Sequence, residues 1–132
     1  MSIPYDGRVF CCDRELSELF RTRPDFRLLE KAAPALPLMY GHLSTGGAFF
    51  VNRKDYLEFG GENENFIGWG PEDIERVKRV EISGRKVHFA SGPMYHLWHP
   101  RGSTSRYAGK LAEINNRRIF IETCKNETYL AR

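Results

Sequence analysis

Apolar positions along this chain fall in short clusters separated by glycine and proline, and the spacing within clusters changes from one stretch to the next. Residues Ser2 to Gly7 read as turn, because Pro4 and Gly7 oppose helix. Val9 to Cys12 reads as a short strand. From Arg14 to Arg21, Leu16, Leu19 and Phe20 recur at helical spacing and predict a short helix with those three on one face. Arg23 to Pro37 carries three of the seven prolines, which predicts an irregular path with a helical turn. Leu38 to Leu43 is compatible with extended chain. Gly46 to Asn52 contains the run Ala48-Phe49-Phe50-Val51 and predicts a buried strand entered through a glycine pair. Arg53 to Phe59 reads as a helix ended by Gly60-Gly61. The strongest helix is Pro71 to Ser83. Proline suits its first position, Glu72 and Asp73 its first turn, and Gly84 its end. Ile74, Val77 and Val80 mark its apolar side, and Glu75 with Arg79 forms an i, i+4 pair. Lys86 to Ala90 reads as a strand and Tyr107 to Thr123 as a C-terminal helix. Strands alternating with helices predict an α/β fold with a mixed sheet.

Composition narrows the class. A chain of 132 residues suffices for one domain with a core. No apolar run approaches membrane-span length. The net charge of +3 is interleaved along the chain, which permits phosphate binding and argues against a nucleic-acid stripe. Aromatic residues make up 13%, enough to offer ring faces for packing and for sugar stacking. The cysteines are Cys11, Cys12 and Cys124. An odd count without CxxC spacing argues against a disulfide framework or zinc knuckle and for a reducing, cytoplasmic compartment. Met1 to Gly7 has neither the basic nor the apolar region of a signal peptide.

Two stretches carry candidate chemistry. The first runs from Gly60 to Asp73 and packs glycines, Trp69 and four carboxylates into fourteen residues. A helix start presents free N–H groups and a positive dipole end, so Glu72 and Asp73 are expected to be anionic there. They point about 100° apart on a helix and would reach different atoms of one ligand. An ionised carboxylate can bind sugar hydroxyls or take a proton from one as it attacks. Trp69 offers a face for a pyranose ring, and the flanking glycines allow close approach to the backbone. The plain alternative is a solvated helix start with capping acids and a core tryptophan. Gly46-Gly47 likewise reads either as a strand edge bared for a sugar or diphosphate, or as a tight turn before a strand.

The second stretch is Tyr95-His96-Leu97-Trp98-His99-Pro100. Imidazole ligates Mn²⁺ alongside carboxylate and phosphate oxygens. In extended chain, positions i and i+3 point to opposite faces, so one histidine would bind metal while the other packs. Two structural histidines are the alternative, and His42 and His88 carry no motif and read as structural. Arg101 to Tyr107 is small, polar and cationic, which suits either a mobile lid or a surface loop. The spacing offers no HExxH for a metal hydrolase.

Gly46-Gly47-Ala48-Phe49-Phe50, Gly60-Gly61-Glu62-Asn63-Glu64, Gly68-Trp69-Gly70-Pro71-Glu72-Asp73 and Tyr95-His96-Leu97, in this order and spacing, resemble the C-terminal half of GT-A glycosyltransferases. The resemblance is to the galactosyltransferase C-terminal family, comprising β-1,4-galactosyltransferases, the chondroitin-polymerase type and bacterial relatives. It covers roughly Pro4 to the end of the final helix, and Pro71 matches the bacterial subgroup. The resemblance implies the C-terminal portion of a GT-A fold with flanking helices, and transfer of a hexose or N-acetylhexosamine from a UDP-sugar to a glycan hydroxyl with inversion. Gly46 and Gly47 would lie against the donor, Trp69 between donor and acceptor, and Glu72 and Asp73 on the acceptor, with Asp73 as general base. His96 would ligate Mn²⁺ with donor phosphates, and the segment after it would close over the donor. Bacterial polysaccharide biosynthesis is the setting implied, with the chain at most peripheral to the inner membrane through partners.

The family pattern also includes an N-terminal nucleotide-binding half with an Asp-x-Asp motif, and none of Asp6, Asp13, Asp25, Asp55 and Asp73 is two residues from another. A separate N-terminal half, or a homodimer, is therefore an expected partner. A non-catalytic saccharide-binding module that keeps Trp69, Glu72 and Asp73 is the alternative reading.

Overall fold

The computed structural model describes residues 1–102 and 105–125. In chain order its elements are β1 (Ser2–Ile3), β2 (Val9–Cys11), α1 (Arg14–Thr22), α2 (Phe26–Ala32), a 3-10 turn (Ala33–Ala35), α3 (Arg53–Glu58), α4 (Glu72–Ile82), β3 (His88–Phe89), β4 (Met94–His96) and α5 (Lys110–Lys125). The result is a mixture of short strands and helices. The chain divides into two compact units. One comprises Met1–Pro4, Thr45–His88 and the described residues from Arg101 onward; the other comprises Tyr5–Ser44 and Phe89–Pro100.

In the second unit, β2 and β4 pair in parallel, with Val9 opposite Met94, Phe10 opposite Tyr95 and Cys11 opposite His96. An antiparallel bridge joins Phe10 to Leu38, closed by the Cys11 N–H on Pro37 O at 2.9 Å and the Met39 N–H on Val9 O at 2.8 Å. That bridge is all the strand that forms between Leu38 and Leu43. Asp13 caps α1 by accepting the Leu16 N–H at 2.8 Å. The face α1 buries is centred on Ser17, not on Leu19, which is exposed. Ser17 Oγ donates to Asp13 O at 2.6 Å and accepts the Trp98 N–H at 2.7 Å, so a hydroxyl replaces the expected apolar contact. The proline-rich stretch holds a full helix, α2, because its prolines flank the helix instead of interrupting it. Pro24 precedes the Asp25 cap, Pro34 opens the 3-10 turn, and Leu29 is buried.

In the first unit, β1 lies beside His88 of β3, with the His88 N–H on Met1 O at 3.0 Å. Ile3 is fully buried, so the expected N-terminal turn begins with a core strand residue. The strand expected over Gly46–Asn52 does not form. Only Phe50 bridges Ser2, through two 2.8 Å bonds, because the two-residue β1 offers no longer edge; Phe50 itself is exposed. The strand expected over Lys86–Ala90 shortens to β3 for the same reason.

The helices of this unit match expectation more closely. Helix α3 ends at Gly60 and Gly61, whose φ of +93° and +62° only glycine adopts readily. Helix α4 starts one residue later than expected, with Pro71 at the cap. Val77 and Val80 are buried, whereas Ile74 is largely exposed. Glu75 and Arg79 form the expected i, i+4 pair, and both are buried. The Arg79 Nε donates to both Glu75 oxygens at 2.9 Å, and its two terminal nitrogens donate to Phe59 O and Gly61 O at 2.7 Å. Asn63 and Thr123 complete the coordination of Glu75. This saturation makes a buried charge pair tenable. Helix α5 starts and ends a little later than the expected Tyr107–Thr123, and turns Asn116 and Ile119 inward.

Candidate functional site

The first unit brings most of the expected site residues into one cluster at the start of α4. Two sequence stretches meet there. A Cβ placed on Gly46 would stand 2.5 Å from Asp73 Oδ2, so a larger residue there would displace the carboxylate. The other Asp73 oxygen, Oδ1, lies 2.9 Å from Arg76 NH1. Arg76 is buried, donates through Nε to Glu62 Oε1 at 2.6 Å, and stacks its guanidinium 4.2 Å from the centre of the Phe49 ring. Burial works against its charge, but the Glu62 bond and the Asp73 charge outweigh burial and hold Arg76 above the ordinary arginine value. Tyr56 OH also donates to Glu62 Oε1, at 3.0 Å.

Glu72 departs from the expectation of a freely ionised helix-start acid. Burial raises its pKa, and backbone N–H bonds around Gly70 and Glu72 only partly counter that. Three buried side-chain atoms among the described residues have no hydrogen-bond partner: Thr45 Oγ1, Glu72 Oε2 and Arg76 NH1. The last has its ion pair with Asp73 but not the alignment of a hydrogen bond. All three belong to this cluster or to the residue next to Gly46. Buried polar groups are normally satisfied, and their concentration in one place is characteristic of functional sites.

Trp69 sits on the same loop, partly exposed, with its ring edge against Tyr107 at 4.9 Å between centroids. Asn116 of α5 holds this loop. Its Oδ1 accepts the Ile67 N–H at 3.2 Å, and its Nδ2 donates to Ile67 O and Trp69 O at 3.0 and 3.1 Å. Gly70 is required by this clamp, because a Cβ there would lie 2.7 Å from Asn116 Nδ2. The bare backbone at Gly70 thus admits Asn116 and not a ligand. Gly47 is exposed, with φ of +89°.

His96 belongs to the other unit, at the end of β4. The expectation that His96 and His99 face apart fails, because β4 ends at His96 and the chain beyond it is not regular strand. Their ring centroids are 5.1 Å apart. Trp98 is fixed in that unit by Ser17, by Arg21 donating to its carbonyl at 2.6 Å and by Arg14 stacked over its ring, which is a structural role. His42 stands beside Tyr40, and His88 lies in β3. Among the described residues no three His, Cys, Asp or Glu side chains gather as a metal site. The described residues therefore do not by themselves make a complete Mn²⁺ site. Of the expected Arg101–Tyr107 lid, Ser103 and Thr104 lie outside the described residues.

Sequence reasoning passed over Arg76 and Asn116. Arg76 follows Asp73 by three residues, a spacing that pairs charges on one helix face. Asn116 was signalled by asparagine inside a helix, where it is intrinsically disfavoured.

Residues 30–109 match the family model described as the N-terminal domain of galactosyltransferase. The match spans well over half of the chain, and the chain belongs to that family. A sugar-transferase family implies sugar substrates. No curated protein matches the chain, and no solved structure matches it. Among the described residues no helix is long and apolar enough to cross a membrane.

Proposed function

We propose that this chain is the acceptor-side, C-terminal half of a bacterial hexosyltransferase that transfers a hexose or N-acetylhexosamine from a UDP-sugar to a glycan hydroxyl with inversion. The observation that carries the proposal is the meeting of Gly46 and Asp73, which joins the stretch expected to hold the donor to the stretch expected to hold the acceptor. Asp73 accepts the proton of the acceptor hydroxyl as that oxygen bonds to the anomeric carbon, while the bond from that carbon to the diphosphate breaks and UDP leaves with the electron pair. Gly46 and Gly47 line the donor side. Trp69 stacks on the acceptor ring, and Glu72 binds its hydroxyls. His96 would supply at most one ligand to a Mn²⁺ ion, whose charge would offset that of the leaving diphosphate. The setting is cytoplasmic polysaccharide assembly, at the inner membrane only through partners.

The exposed ring of Trp69 beside Glu72 and Asp73 also suits a second reading, a module that binds saccharide without transfer. Calorimetric titration with UDP-galactose and UDP-N-acetylgalactosamine, with and without Mn²⁺, on the chain and on His96→Ala separates the two. Metal-dependent donor binding that His96→Ala abolishes supports the transferase. Glycan binding indifferent to Mn²⁺ and UDP supports the module. In the transferase, Asp73→Asn lowers the transfer rate by roughly 10²–10⁴.

A further inference from the structure

We infer that Arg76 is the positioning residue of this site: its guanidinium ties Glu62, Phe49 and Asp73 together and fixes Asp73 so that Oδ1 is held and Oδ2 faces Gly46. The inference rests on the reading of Asp73 as the base. Three pieces of chain distant in sequence converge on one side chain. Glu62 comes from the loop after α3, Phe49 from the stretch after Gly46-Gly47, and Asp73 from the first turn of α4. A guanidinium is the side chain that can do this, because it is planar, stacks on a ring by its face and donates along its edge in two directions at once. A lysine offers a single point charge and cannot hold all three. The orientation has a chemical result. The oxygen nearest Arg76 carries the attraction of the cation and is the weaker acceptor. Oδ2 stands against the backbone of Gly46, where the donor stretch passes, and is the oxygen assigned to the acceptor proton.

The charges that face Asp73 are Arg76 and Glu72 on its own helix, with Glu62 from the loop acting through Arg76. Arg76→Lys keeps the positive charge and loses the planar fork, so the Asp73 carboxylate loses its fixed placement and the backbone of Gly46, which stands against Oδ2, is disturbed with it. Arg76→Met removes the ion pair as well, and Glu62→Gln weakens the hold on the guanidinium from its other side. A change read at Gly46 from a charge-conserving substitution on α4 is not produced by loss of charge alone.

The test is the amide spectrum of the chain and of Arg76→Lys, Arg76→Met and Glu62→Gln, all at one fixed pH. A displaced Gly46 amide resonance in Arg76→Lys, with the spectrum of a folded chain otherwise retained, supports the clamp; a Gly46 resonance unmoved in both Arg76 variants overturns it. Should Arg76→Met not fold, Arg76→Lys decides alone. Transfer from UDP-galactose to N-acetylglucosamine is measured beside it. A loss in kcat on the order of 10²-fold in Arg76→Lys with KM unchanged supports a positioning role. If Asp73→Asn transfers as well as the parent while the Gly46 resonance is displaced in the Arg76 variants, the base reading fails and the clamp stands.

Discussion

Glu72 shows how the fold can hold one carboxyl at a cost to its own stability. Its carboxyl is pushed above the ordinary value near 4.5 by burial, and its Oε2 has no partner. A carboxyl whose folded pKa lies above its unfolded one favours folding below the unfolded value and loses that contribution as pH rises through the folded value. At neutral pH the buried charge is thus a burden on stability. Glu72→Gln removes the charge while keeping the shape. It is expected to melt at or above the parent temperature at pH 7, and the difference should vanish below pH 4.5. Melting curves from pH 4 to pH 8 check this, and a variant destabilised equally at every pH would refute it. Saccharide binding should weaken in the same variant, the exchange of activity for stability seen where sites hold strained or unpartnered groups.

At the scale of elements, the sequence made α3, α4 and α5 legible because helix signals are local: caps, first-turn acids, glycine stops and apolar spacing all lie within one turn of the residues they govern. Strands were the weaker reading. Ala48 to Val51 has strand composition, yet a strand needs a partner edge, and only Ser2 supplies one. The Glu75–Arg79 pair was visible as an i, i+4 spacing, but its burial depends on carbonyls from Phe59 and Gly61 that no helical pattern reports. The same holds for the site. Trp69, Glu72 and Asp73 stand in one motif, whereas the contact of Gly46 with Asp73 and the clamp of Asn116 exist only once the chain is folded. Asn116→Ala should leave the Ile67 N–H and two carbonyls without their partner. The cost is roughly 1–3 kcal/mol for a buried group so orphaned. In a Trp98→Phe background, the fluorescence of Trp69 should shift to the red before the global unfolding transition, and an unchanged emission maximum would show that Asn116 does not hold the loop.

At the scale of the whole molecule, the family match and the physical unit have different boundaries. The match ends at residue 109, immediately before α5 begins at Lys110. Yet α5 provides Asn116 to the Trp69 loop, Ile119 to the interior and Thr123 to the buried Glu75. Without α5, Glu75 keeps Arg79 and Asn63 but gains solvent on one side, and Ile67 and Trp69 lose the side chain that fixes their backbone. A chain cut after Gly109 therefore contains every matched residue and lacks the support that shapes the site. It is expected to lose the cooperative urea transition of the full chain, or to unfold at clearly lower urea with a smaller slope, since less surface is buried in a unit without its last helix. Circular dichroism during urea titration of both chains measures this. Equal midpoints and slopes would mean that α5 is an appendage, and that the Trp69 loop and the first turn of α4 keep their places without it.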